Sequence, residues 1–245
     1  QNMEPGKLLF WLAYFLEDSF LLKSLPVTEP LPKSYSKEFY HSDLVRIRRG
    51  NIDATILGAN PVFFTSFKGN AALEGVRVAS AFFGKGQFRG GTIENTDNVF
   101  RMSQKLSGPY FQPLNPDDIP EDRNGWQVPR MRRGLSEIQE QETVVKIEEE
   151  GVGFKISISV SGTDNVPVAV EFAFRKGGLF NDLEKVKGID HAYLAAEGQM
   201  MTYTYGADTI SFGPGIRKHA WTQLRGALPK LEADCVYFTG FAPFD

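Results

Sequence analysis

Between Phe154 and Phe174 large apolar residues fall on every second position of two successive runs. The first carries Phe154, Ile156, Ile158 and Val160, and the second Val168, Val170, Phe172 and Phe174. A β-strand sends alternate side chains to opposite faces, so each run has one apolar face that must be covered. The break between them, Gly162-Thr-Asp-Asn-Val166, has turn chemistry. The pattern predicts two long strands joined as a hairpin and a second layer broad enough to bury them. The expected class is therefore all-β, a large antiparallel β-sandwich, with function carried by surface grooves and loops.

The size and make-up of the chain agree with that class. Its 245 residues suit one large sandwich or two small domains, and 20 phenylalanines can fill a wide core. The formal net charge of -3 gives no electrostatic case for a nucleic-acid partner, which needs a concentrated basic face. The single cysteine, Cys235, has no partner for an internal disulfide, and its setting in Asp234-Cys-Val-Tyr-Phe-Thr239 reads as a buried small hydrophobe.

Leu8 to Leu16 is an apolar run with Phe10, Trp11, Tyr14 and Phe15. It is shorter than the roughly 20 residues that span a bilayer, and no membrane partner is expected. It lacks the small-residue cleavage site of a signal peptide. The reading is a helix from Gly6 to Leu22, apolar on most sides and hence a helix that has to be buried. Residues 1–25 are expected to be the remnant of a preceding helical domain, residues 26–40 a Pro-rich linker, and residues 41–245 the β-sandwich.

Strand-like segments are expected at Leu44–Arg48, Ala54–Leu57, Val62–Phe67, Val76–Phe83, Asn98–Lys105, Glu142–Glu149, Tyr193–Ala195, Met200–Tyr205, Thr209–Phe212, Ala220–Leu224 and Val236–Thr239, with Gly206-Ala-Asp208 as a hairpin turn. Five prolines between Gly108 and Arg133 predict a long loop holding Tyr110 and Trp126. No internal repeat is present, which argues against a propeller.

The chain has no Gly-x-Ser-x-Gly, no phosphate-cradling Gly-x-x-x-x-Gly-Lys and no His-Glu-x-x-His. With three histidines and no ligand spacing, neither metal nor cofactor is expected. His219 stands out. It follows Gly213-Pro-Gly-Ile-Arg217-Lys and precedes Ala-Trp221-Thr-Gln-Leu-Arg225-Gly. Its imidazole is a candidate acid or base near neutral pH. Arg217 and Arg225 are candidates to hold a carboxylate by paired hydrogen bonds. Trp221 is a candidate platform for the apolar face of a sugar ring. Against this stands a plainer reading, an edge strand with a solvated cationic side and Trp221 in the core. His41 and His191 read as loop and turn residues. Arg46 and Arg48 share a strand face, which is either a solvated surface or an anion-binding groove. Arg130, Arg132 and Arg133 form a second basic cluster with the same two readings.

Three segments resemble the C-terminal β-sandwich region of heparinase II/III-like polysaccharide lyases. They are Ser42-Asp-Leu-Val-Arg46-Ile-Arg48-Arg-Gly50-Asn-Ile-Asp-Ala-Thr-Ile, then Gly108-Pro-Tyr110-Phe-Gln-Pro113-Leu, and then Asp208-Thr-Ile-Ser-Phe-Gly213-Pro-Gly215 running through His219 to Arg225-Gly and Thr239-Gly-Phe-Ala-Pro-Phe244. The resemblance implies a supersandwich-like fold following a helical toroid, with an anionic polysaccharide between them and β-elimination at a uronate. It implies a periplasmic or extracellular home and a catalytic set supplied mainly by the toroid, so this chain alone is expected to be inactive. The zinc ligands of some family members have no recognisable counterpart here. On this reading Arg217, Arg225, Trp221, Trp126, Tyr110, Arg46 and Arg48 contact the polysaccharide and His219 takes part in catalysis. The alternative is a non-catalytic carbohydrate-binding or structural module using Trp126, Trp221 and Tyr110 as platforms.

Overall fold

A computed structural model describes residues 5–18, 30, 32–119, 121, 131–181 and 183–244. The chain divides into two units, Gln1–Pro32 and Lys33–Asp245. In the first, α1 runs from Pro5 to Glu17. Its apolar composition leaves no polar side to show to water, and Leu9, Phe10, Trp11, Leu12, Tyr14 and Leu16 are each more than half exposed. Residues 19–22 of the expected helix lie outside the described residues. Among the described residues no helix is long and apolar enough to cross a membrane.

The second unit is built from seventeen described strands in three sheets. In chain order they are β1 (Ser34–Phe39), β2 (Leu44–Arg49), β3 (Ile52–Leu57), β4 (Phe64–Lys68), β5 (Ala71–Ser80), β6 (Gly86–Gln87), β7 (Glu94–Thr96), β8 (Val99–Phe111), β9 (Leu135–Glu150), β10 (Gly153–Gly162), β11 (Pro167–Phe174), β12 (Leu179–Phe180), β13 (Glu184–Lys185), β14 (Ala192–Leu194), β15 (Met201–Tyr205), β16 (Asp208–Phe212) and β17 (Asp234–Phe241). The large sheet has the order β1-β2-β3-β4-β5-β11-β17-β14-β13, with β6 beside β5. A second sheet runs β10-β9-β8-β7 and a third β12-β15-β16. Pairing is antiparallel except between β14 and β17. The all-β sandwich expected from the alternation is thus observed. The first strand starts at Ser34, inside the stretch assigned to the linker, and pairs along its whole length with β2.

The two alternating runs are not a hairpin. β10 pairs with β9, whereas β11 sits between β5 and β17 in the large sheet. Two strands of one hairpin present their apolar faces to the same side. Here the faces oppose each other across the core, so the four residues between the strands are a corner that changes sheet. The chain's last residues close that corner. Asn165 N–H donates to Ala242 O at 2.8 Å, Ala242 N–H to Val166 O at 2.9 Å, and Val160 and Phe244 exchange both backbone bonds.

One apolar layer joins all three sheets. It contains Val45, Ile47, Ile56, Phe64, Val78 and Phe174 of the large sheet, Phe100, Met102, Val145, Ile147 and Val160 of the second, and Met201, Tyr203 and Phe212 of the third. The large sheet has a second covered face at β11, β14 and β17, where Ala169, Ala173, Leu194, Cys235 and Tyr237 meet Leu224, Ala227, Leu231 and Ala233. This is why β11 is buried on both sides. The covering segment includes Ala220–Leu224, expected as a strand and found as irregular chain. Its alternation is real, with Trp221 exposed and Thr222 and Leu224 buried, but it comes from a loop laid flat on a sheet. β8 continues through Pro109, opposite Ile138 of β9, into the region read as loop. Proline is tolerated there because β7 covers β8 only from Val99 to Arg101, which leaves the other edge open.

Candidate functional site

The end of the large sheet where β5 leaves, β11 enters and β17 leaves gathers most of the expected site residues. Ala81 N–H donates to Pro167 O at 2.9 Å, and Pro167 pairs with Phe241. The loop from Arg217 to Leu231 crosses this end and then the covered face.

His219 anchors the loop. Its Nε2 lies 3.0 Å from Gly240 O and 3.2 Å from Val168 O, and Trp221 N–H reaches Nδ1 at 3.2 Å. Two carbonyl acceptors at one nitrogen and an N–H donor at the other fix the neutral Nε2–H tautomer. Burial holds its pKa below the usual 6.5, against the opposing pull of those backbone contacts. The imidazole placed in sequence as a catalytic acid or base therefore has both nitrogens engaged within the chain: Nδ1 accepts one bond, and Nε2 donates. The ring's role is positional. It stacks on Trp221 with centroids 5.1 Å apart and planes 30° apart, and Phe241 meets it edge-on at 5.0 Å. Trp221 is 57% exposed, so one face of the indole is supported while most of the ring is open to solvent.

Arg217 is also committed within the chain. Its fork meets Glu184, with Nη1 to Oε2 at 2.5 Å and Nη2 to Oε1 at 3.2 Å. That contact holds the Glu184 carboxyl below its usual range. Its backbone N–H donates to the Glu197 carboxylate, which also receives Lys218 Nζ at 2.7 Å. The carboxylate expected in Arg217's grip is thus one of the protein's own. Arg225 is different. It is exposed, runs across Gly84 with Nε 3.4 Å from where a Cβ would sit, and forms no hydrogen bond or ion pair among the described residues. The close approach needs glycine on both sides: a Cβ at Gly226, with φ +91, would lie 2.2 Å from the Gly84 carbonyl carbon.

Tyr110 joins the same end through a residue that sequence reasoning missed. Phe83, at φ 48 and 38% exposed, leaves β5 and meets Tyr110 edge-on at 5.1 Å. Gly108 makes room for it, since a Cβ there would fall 2.3 Å from the Phe83 ring. Phe83 read as the end of a strand; the only hint was the Gly84-Lys-Gly86 turn directly behind it. The rim therefore presents Trp221, Phe83 and Tyr110, each at least 38% exposed, with exposed Arg225 and Lys85. Glu137, opposite Tyr110 on the ribbon, adds a negative charge at that end.

Beneath the loop lies a second missed feature. Arg77 and Glu171 form a buried ion pair, Nη2 to Oε1 at 2.7 Å, with both side chains 7% exposed. Tyr237 donates to Glu171 Oε2 at 2.7 Å, and Arg77 Nη2 donates to Pro229 O at 2.9 Å. Burial and the Glu171 charge push the Tyr237 phenol up. Gln87 accepts from Leu228 N–H at 2.9 Å. The rim loop is thus pinned at one end by His219 and at the other by this network. Its signal was Glu171 standing alone in an apolar strand.

The remaining candidates lie elsewhere. Arg46 and Arg48 share a face as the alternation requires, on β2 near the other edge of the sheet. Trp126 and Arg130 fall outside the described residues. Arg133 lies over the Phe111 ring at 4.7 Å. His191, read as a turn residue, sits at φ 57 with Nδ1 2.6 Å from Asp234 Oδ1. His41 is exposed in a short 3-10 turn. Among the described residues no group of three or more His, Cys, Asp or Glu is placed to hold a metal.

Comparison with protein-family models, with curated proteins and with solved structures finds no match in any of the three.

Proposed function

We propose that this sandwich binds an anionic polysaccharide or oligosaccharide along its rim and acts as a non-catalytic module. Within a larger protein of the heparinase II/III-like kind it would serve as the C-terminal sandwich that helps hold the substrate. The observation that carries the reading is the Trp221 indole, stacked on an imidazole that three backbone groups lock in place. A platform fixed in advance loses little freedom when a ring settles on it. Phe83 and Tyr110 extend the apolar surface, and Arg225 and Lys85 supply donors for carboxylate groups. Covering one face of the indole removes on the order of 100 Å² of apolar surface, worth about 2.5 kcal/mol before ordering costs. Elimination chemistry is not supported on this chain, because His219 and Arg217 are both engaged internally.

The test is calorimetric titration with oligogalacturonates, alongside incubation with uronate polysaccharides while absorbance of unsaturated product is followed. The proposal expects binding without turnover, and a loss of about tenfold or more in affinity for Trp221→Ala. Unchanged affinity in that variant, or sustained turnover by the wild-type chain, would overturn it.

A further inference from the structure

The outer face of β1–β4, far along the large sheet from the rim, is laid out by register alone. β1 contributes Tyr35, Lys37 and Phe39. Across from them on β2 stand Arg48, Arg46 and Leu44. Next come Asp53, Thr55 and Leu57 on β3, then Phe67 and Thr65 on β4. The opposite face of these strands is the core face, carrying Val45, Ile47, Ala54 and Ile56. Three cations therefore share the outer face with one carboxylate, Asp53. Arg46 and Arg48 are two residues apart on one strand, about 7 Å, and Lys37 is one strand, about 5 Å, from Arg46.

One carboxylate is shared between two of the cations. Asp53 forms long ion pairs with both arginines, 3.5 Å to Arg46 Nη2 and 4.0 Å to Arg48 Nε, and leaves a net positive charge on this face. Arg46 spends Nη1 on Thr55 Oγ1 at 2.8 Å. The Arg48 side chain makes no hydrogen bond among the described residues; its Nε is buried, which leaves the two terminal nitrogens of the guanidinium as the donors it can offer. Lys37 sits over the Phe39 ring at 5.2 Å. Guanidinium donors left unspent beside a third cation are the chemistry that takes up carboxylates in pairs. Tyr35 and Phe39 flank them with ring surface.

We infer that this face is a second anion-binding surface, which takes carboxylate groups of a saccharide chain on Arg46, Arg48 and Lys37. Its existence rests on the unspent donors of this face; only the choice of a saccharide as the carrier of the carboxylates rests on the reading of the rim. A chain long enough to touch both surfaces would gain avidity that a short one would not.

The experiment uses the full chain and a Trp221→Ala background, so that rim binding is already weakened. Binding of a galacturonate hexamer is measured at low and moderate salt for that protein, for added Arg46→Gln/Arg48→Gln, and for added Lys37→Gln. Lys37 is exposed, and its side chain rests on the Phe39 ring without a hydrogen bond or ion pair among the described residues, so its variant keeps the test open if the double arginine variant unfolds. The inference expects at least a fivefold loss with the double variant, about twofold with Lys37→Gln, and a shallower salt dependence in both. Affinity and salt dependence unchanged in a folded variant would overturn it. So would a single-stranded oligonucleotide outcompeting the hexamer on this face. If Trp221→Ala alone has no effect, the rim reading fails while the arginine and lysine variants still report on this surface.

Discussion

Removing the Glu171 carboxylate should unbalance the buried network more than any comparable change nearby. Glu171→Ala leaves the Arg77 guanidinium 7% exposed with its counter-charge gone and the Tyr237 hydroxyl without its acceptor. Breaking one half of a buried pair costs about 3–5 kcal/mol, because the partner stays desolvated. For a unit of this size that lowers the melting temperature by about 6–20 °C. Arg77→Met should cost a similar amount and should also free Pro229 O, loosening the segment that leads to the rim. Replacing both together, Arg77→Met/Glu171→Met, removes the charges rather than orphaning one, and should cost far less than the sum of the singles. The assay is urea unfolding of wild type, the two single variants and the double variant, with the midpoint read at unchanged slope. Hydrogen exchange at Leu228 N–H reports the loosening directly. A loss under about 1 kcal/mol for Glu171→Ala, or a double variant as damaged as the sum of the singles, would refute the reasoning.

Cys235 is fully buried, and burial together with the Glu171 charge pushes its thiol up to about 12; it should ignore thiol reagents in the native state and react stoichiometrically once the chain is unfolded. His219 has a folded pKa below its unfolded value of about 6.5, so the unfolded chain takes up this proton first as pH falls. Its contribution to stability is full above that value and is lost as pH drops through it towards the lower folded pKa. Melting temperatures followed downward from pH 7.5 should show this loss, and a His219→Gln variant should lack that share of it.

The alternation at Phe154–Val160 and Val168–Phe174 was enough to read the fold class, since burying two such faces leaves few options. It was not enough to read pairing. A hairpin and a sheet-changing corner demand the same apolar alternation and the same turn residues, and the partners that decided the matter, β5, β9 and β17, are remote in sequence. For Trp221 the sequence left two placements open, core or solvent, because an aromatic after a Gly-Pro-Gly turn can face either, and its 57% exposure excludes the core. That both nitrogens of His219 are engaged was not legible in the sequence, for a physical reason. What fills an imidazole's two nitrogens is backbone from Val168, Gly240 and Trp221, and backbone carbonyls leave no mark on composition. Arg217 likewise looked available because Glu184 lies 33 residues away in sequence. Phe83 was hidden at a strand end, where an aromatic residue counts towards a β pattern whichever way it points.

The claim on which the rest depends is that Trp221 is a fixed, solvent-facing platform for a sugar while His219 stays neutral behind it. With three tryptophans in the chain, an amide–indole correlation spectrum resolves the question during titration with a galacturonate hexamer. The account predicts that the indole N–H signal lost in Trp221→Ala shifts progressively with ligand, and that His219 keeps the nitrogen shifts of an Nε2–H tautomer throughout. An unmoved Trp221 signal at saturating sugar, or a His219 ring that gains a proton on binding at neutral pH, would contradict it.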